Sequence, residues 1–243
     1  MFRFLPGLLL ASVLLNPNSA HAELDLGNWD VLLGSAVNDG FVDYGQWANN
    51  PRFDELVEQI AQTDTDTMNT DQKLVFYINA YNILAARGIL DGGSPESVLG
   101  RYFYFKRNKY RVAGREISLH QLEHEWIRPL KEPRIHFAIV CASQSCPILQ
   151  SEAYRLETLD QQLESAAMDF INDSERNRFD TAEGLAELSS IFKWFSDDFV
   201  EAAGSVQAYL APLVKDEDVA ENLEKGAFEI EYLDYDWRLN GTR

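Results

Sequence analysis

LVFYINAYNIL, residues 74–84, is apolar nearly all round when wound as a helix, which marks a helix buried inside a domain rather than lying on its surface. The surrounding residues extend it from Asp71 to about Arg87, with Thr70 as N-cap and Gly88 as the stop. Two amides interrupt the apolar run. Asn79 and Asn82 are three residues apart and so share one side of the helix. A buried amide needs partners for its donors and acceptor, so the pair either ties down a neighbouring loop or lines a site. Tyr81, between them, joins the candidate binding residues.

Outward from this helix the chain reads as helices mixed with short hairpins. Upstream are helices over 28–37 and 51–61, the second with Phe53, Leu56, Val57 and Ile60 on one face. Downstream, residues 103–117 alternate aromatic and basic side chains around Gly114 and predict a β-hairpin. Ser118 caps a helix from Leu119 to about Ile127 that stops before Pro129. Residues 134–141 predict a strand, and 159–171 a helix. Short strands around 178–179 and 185–188, a helix from Ser189 or Ser190 through Phe199, helices over 205–214 and 217–225, and a last strand at 228–233 complete the reading. There is no regular βαβ alternation, so the expected class is α+β: a single domain with a mixed or antiparallel sheet packed by helices around the buried central helix.

Residues 1–22 read as an export leader. Arg3 is followed by the apolar run Leu5–Leu15 and by Ala20-His21-Ala22, a small-x-small cleavage pattern. The run is too short to span a bilayer, and no second run exists, so the expectation is an exported, periplasmic or secreted protein without an integral membrane span. Residues 23–243 then form one domain, with a core over about 36–200 and a C-terminal helical segment and final strand over 201–243. The net charge of −18 becomes −19 without Arg3. A surface this acidic repels nucleic acid and anionic lipid, and neither the oligomeric state nor a cofactor is indicated.

The chemistry concentrates in two stretches. RIHFAIVCASQSCP, residues 134–147, carries both cysteines, Cys141 and Cys146, together with His136. Cys141 can be a nucleophile only where its thiolate is favoured; otherwise it is a buried residue or half of a Cys141–Cys146 disulfide, which export permits. Backbone amides of 142–145, with Ser143 and Ser145 among them, are candidate donors to an oxyanion. On a regular strand His136 and Cys141, five apart, face opposite ways. That makes His136 the poorer partner unless a bulge intervenes and His124, from HQLEH at 120–124, the better one, with Glu123, Asn79 or Asn82 orienting its ring. His120 and His124, four apart on a helix, also match an inverted zinc-peptidase pattern that needs a third ligand.

Six segments in order, VDYGQW (42–47), FYINAYNIL (76–84), ISLHQLEHEWIR (117–128), RIHFAIVCASQSCPIL (134–149), LSSIFKWFSDDF (188–199) and YLDYDWRLN (232–240), make the chain resemble the domain-of-unknown-function 547 family. That family has no settled biochemical activity. The resemblance implies that Asn79, Asn82, Glu123, His124, His136 and Cys141 are its characteristic polar positions. It also implies that the segment matched by His120 commonly carries an acidic residue and that the position of Cys146 is serine in some members. Both points favour a thiol site over zinc. The leading expectation is a Cys141–His124 enzyme for acyl transfer or for hydrolysis of a peptide or cell-wall-like amide. The alternatives are a non-catalytic binding or scaffold domain with structural cysteines and a zinc hydrolase using His120 and His124.

Overall fold

The computed structural model describes residues 23–243; the leader assigned to residues 1–22 lies outside the described residues. Helices dominate, with small sheets among them, an α+β architecture as the sequence leads one to expect. The strands are β1 (Val37–Asn38), β2 (Phe41–Asp43), β3 (Tyr110–Val112), β4 (Arg115–Ile117), β5 (Arg178–Asp180), β6 (Leu185–Leu188), β7 (Glu229–Tyr232) and β8 (Gly241–Thr242). β2 pairs antiparallel with β1 and parallel with β8, so the C-terminus returns to the start of the domain. β3 and β4 form a hairpin. β6 pairs antiparallel with β5 and parallel with β7. No helix among the described residues is long and apolar enough to cross a membrane.

The central helix runs Thr70–Leu90 and is buried on every side from Leu74 to Ala86, with an exposed first turn. Its cap is Asn69, whose side chain accepts from the Gln72 amide while the Gln72 side chain returns a bond to the cap, so Thr70 is already inside the helix. Gly88 does not stop it. A Cβ there would lie 2.6 Å from the Tyr110 hydroxyl and 2.8 Å from the Tyr104 ring, so glycine is needed for close packing rather than for termination.

Two apolar clusters flank the helix Leu159–Ile171. Leu159 and Leu163 belong to the cluster built on the central helix. Ala166, Ala167, Phe170 and Ile171 belong to one made with Phe137, Phe192, Phe199 and Tyr209. The candidate site opens where these two clusters meet.

Three further expectations differ from the structure. Residues 134–141 are not a strand: Pro133–Phe137 is a 3-10 helix opened by Pro133 and capped by the Glu132 side chain. Beyond it, the Ala138 and Ile139 amides still bond the Ile135 carbonyl, and a side chain takes over the Ala138 carbonyl and the Val140 amide. Asn82 Nδ2 donates to the Ala138 carbonyl (3.0 Å) and Asn82 Oδ1 accepts from the Val140 amide (2.8 Å). One primary amide thus replaces a strand neighbour. Tyr102–Arg107, the first half of the expected hairpin, is a π-helical turn closed by Asn108 N–H to Phe103 O. The helix expected to reach Phe199 breaks at Phe195 into Ile191–Trp194 and Ser196–Ala203.

The Asn82 clamp carries a measurable consequence. Asn82→Ala strands a buried carbonyl and a buried amide, each costing about 1–3 kcal/mol unpaired. Urea unfolding should show a loss of about 3 kcal/mol; a loss under about 0.5 kcal/mol, the scale of a neutral surface change, would show that the clamp is dispensable.

Candidate active site

The run after Ser118 is helical from Leu119 to Leu130, but its middle, Leu122–Ile127, is a second π turn, closed by Arg128 N–H to Glu123 O. π turns insert a residue into a helix and recur at functional sites because they re-aim side chains. Here the two π turns face one cleft. One supplies Phe105 and Lys106, the other Glu123 and His124. The cleft, about 200 Å³, also receives Tyr81 from the central helix, His136 and Cys141 from the 133–147 segment, and His120. Trp194, Phe195, Tyr235 and Trp237 close the other side.

The cleft therefore gathers Cys141, His124, Glu123, His136, His120 and Tyr81 from the sequence-based set. It does not gather the two asparagines. Asn79 Nδ2 donates to the Val75 and Tyr154 carbonyls, and its Oδ1 accepts from the Tyr154 amide (3.1 Å). Like Asn82, it holds a loop and not an imidazole. Ser145 also turns away: its hydroxyl accepts from the Asp236 amide (2.9 Å).

Cys141 and Cys146 are joined as a disulfide. Hydroxyls, not imidazoles, lie within hydrogen-bond distance of the Cys141 sulfur: Ser143 Oγ at 2.9 Å and Tyr235 Oη at 3.3 Å. The amides of Gln144 and Ser145, two of the expected oxyanion donors, are bonded instead to the carbonyls of Arg238 and Asp236. Arg176 braces the same turn through the Cys146 carbonyl (2.9 Å). Ala142, beside Cys141, adopts φ +63, the left-handed conformation that turns the chain back.

Asp198, to which the sequence reading assigns no role, organises the histidines. Arg128 grips it with two bonds of 2.8 Å, through Nε and Nη2, and His136 Nε2 donates to it at 2.8 Å. Burial opposes the charge on Asp198, but the hydrogen bonds from His136 and Arg128 outweigh that and hold its carboxyl well below the usual range. Burial pushes the His136 ring down in spite of Asp198, so a neutral imidazole faces a carboxylate; its remaining nitrogen, Nδ1, is buried and unpartnered. Arg128 Nη1 also lies 2.7 Å from His124 Nδ1. A guanidinium only donates, so in the neutral ring Nε2 carries the proton and is a donor. Burial, reinforced by His120, Arg128 and His136, lowers His124 to about 4. Near neutral pH His124 is thus a hydrogen-bond donor.

Glu123 moves the other way. Burial in the apolar cleft raises its carboxyl to about 7, with the charge of Arg128 opposing and Asp198 adding, and Tyr81 as hydrogen-bond partner. Part of the residue surface remains open to the cleft. A carboxyl that titrates near neutrality can deliver and accept protons there. Among the described residues no group of three His, Cys, Asp or Glu side chains is disposed to hold a metal ion, so His120 and His124, with ring centroids 4.2 Å apart, lack a third protein ligand.

Residues 65–171 match the model of the family described as "Protein of unknown function, DUF547". No curated protein and no solved structure matches the chain. The matched segment carries Tyr81, Glu123, His124, His136 and Cys141, whereas Asp198 and Tyr235 lie beyond it.

The Glu123 shift fixes a sign. A carboxyl whose pKa is raised on folding, from 4.5 to about 7, makes the native state hold its proton more tightly. Stability relative to Glu123→Gln is then greatest below pH 4.5, falls as pH rises toward 7, and levels off above. Denaturation midpoints of the two proteins across that range check it; parallel pH profiles would refute the shift.

Proposed function

We propose, on the strength of the cleft and of the DUF547 family-model match over residues 65–171, an exported acyl-transfer enzyme, acting on amide or ester bonds such as those of peptides or cell-wall-like material. The observation that carries this reading is one apolar cleft lined by both Cys141 and a Glu123 that titrates at about 7. The active form is the dithiol, made when a thiol reductant opens the Cys141–Cys146 bond and is itself oxidised to a disulfide. Glu123 carboxylate takes the proton of Cys141. The thiolate attacks the acyl carbon, forming the S–C bond and an oxyanion. Tyr235, whose hydroxyl burial holds protonated, donates to that oxyanion, and the Nε2–H of His124 is a second donor. Glu123 returns the proton to the leaving amine or alcohol as its bond to carbon breaks. Water, giving its proton to Glu123, then attacks the thioester carbon. The S–C bond breaks, the acid leaves, and the proton returns to Cys141. Asp198 and Arg128 keep the two histidines in fixed tautomers throughout.

A second reading has its own support. The Cys141 amide donates to the Cys146 sulfur (2.7 Å) and Arg176 clamps the Cys146 carbonyl, as in a turn that a structural disulfide stabilises. In that case the domain binds or scaffolds and performs no chemistry.

The two are separated by mass spectrometry after exposure to p-nitrophenyl acetate. Reduced protein should carry an acetyl group on Cys141, at a rate rising with pH through about 7 as Glu123 ionises. Glu123→Gln should lose about 100-fold of that rate together with the inflection, and Cys141→Ser should carry no adduct. A reduced, folded protein whose Cys141 stays unmodified would assign the cysteines to structure.

A further inference from the structure

Beside the cleft mouth, the helical segment Val98–Arg107 presents apolar side chains to solvent. Val98 is 77% exposed, Leu99 65%, Tyr102 52% and Phe103 46%. At helical spacing 98, 99, 102 and 103 share a face, while Tyr104 on the other side is fully buried and bonded to the Ala85 carbonyl (2.8 Å). This is a projecting knuckle anchored from below. Its charge is as unusual as its apolarity. Residues 97–115 contain six cations, Arg101, Lys106, Arg107, Lys109, Arg111 and Arg115, and no carboxylate, in a chain of net charge −18. Lys106, Arg107 and Arg111 are exposed and make no salt bridge among the described residues.

We infer that this knuckle docks the protein on an anionic lipid bilayer, with Val98, Leu99, Tyr102 and Phe103 entering the interface and Lys106 and Arg107 meeting the headgroups. Apolar and aromatic side chains beside unpaired cations are what an interfacial anchor presents, since apolar burial and electrostatic attraction then act together. A protein groove would accept the apolar residues but would leave the cations to find carboxylates one by one; a charged bilayer supplies anions wherever they fall. The acidic remainder of the surface does not forbid this, because charges farther off than a Debye length of about 10 Å are screened at ordinary salt. Phe105 and Lys106 belong both to this segment and to the cleft wall, so docking sets the cleft mouth at the headgroup layer. Its substrates would then carry the acyl bond on a membrane-associated molecule. That last step rests on the acyl-transfer reading; the docking itself does not.

Flotation of the chain from residue 23 onward with vesicles tests it. The protein should float with mixed phosphatidylcholine–phosphatidylglycerol vesicles and not with pure phosphatidylcholine. Leu99→Ser with Phe103→Ser should weaken binding about tenfold or more. Lys106→Glu with Arg107→Glu, or salt near 1 M where the Debye length is about 3 Å, should weaken it comparably. Circular dichroism confirms that the exposed-site variants are folded. Failure to float with the anionic vesicles overturns the inference, as does binding indifferent to the Leu99/Phe103 pair. Self-association in solution that Phe103→Ser abolishes, without vesicle binding, would assign the patch to a second copy of the chain. Acetylation of Cys141 is read separately, so either result can fail alone.

Discussion

A helix buried on every side leaves no room for polar backbone beside it unless that backbone finds its hydrogen bonds within the core. The helix Thr70–Leu90 meets this constraint with two side chains. Asn82 offers a donor and an acceptor to the backbone at 138–140, and Asn79 does the same for residue 154. Each amide copies what an adjacent strand would supply, at one point instead of along a ladder. The chain between Phe137 and Cys141 can therefore run against an apolar helix without joining a sheet. Cys141 is thus delivered to a cleft wall, where a strand would have buried it in a ladder.

The same apolar surroundings explain the electrostatics. Removing water raises the cost of every charge, so each titratable group is driven toward its neutral form unless a specific partner intervenes. Glu123 and His124 sit next to each other in the chain and shift in opposite directions for this one reason. Asp198 is the exception because Arg128 and His136 donate three hydrogen bonds to it. Arg128 is consequently the fulcrum: it neutralises Asp198, fixes the His124 tautomer and opposes the rise at Glu123.

Much of this is legible in the residues, but unevenly. The central helix, the helix at 159–171 and the α+β class follow from apolar periodicity, which local sequence carries. The stretch at 134–141 misleads because an apolar run rich in isoleucine and valine reads as a strand, whereas the hydrogen bonds that decide the matter come from Asn82, more than 50 residues earlier. Neither π turn has a local signature, yet together they aim Phe105, Lys106, Glu123 and His124 into the cleft. That Cys141, His124 and Glu123 meet is the expectation from their residue types and spacing; His136 joins the same cleft against the strand periodicity, because 133–137 is a 3-10 helix, and the wiring among the four has no sequence signal. Asp198 and Tyr235 lie inside segments that carry the family resemblance, but a role that depends on meeting Arg128 or Cys141 across the fold leaves no mark in the neighbouring residues.

Net charge illustrates the same limit from the other side. A total of −18 describes the far field, and the far field is what governs solubility and steering. Contact is governed by the nearest few charges, because ionic screening removes the rest within about 10 Å. Residues 97–115 carry six cations and no carboxylate, so a partner touching them meets a cationic, aromatic surface whatever the total. Excluding anionic partners from the sum alone treats charge as though it were uniformly spread, and this fold spreads it unevenly: Glu116 faces Arg111 across the hairpin and Arg115 shares a pocket with Asp64, Asp66 and Glu125, whereas Lys106 and Arg107 are exposed without a salt bridge among the described residues, Lys106 on the wall of the cleft that also holds Glu123 and Cys141.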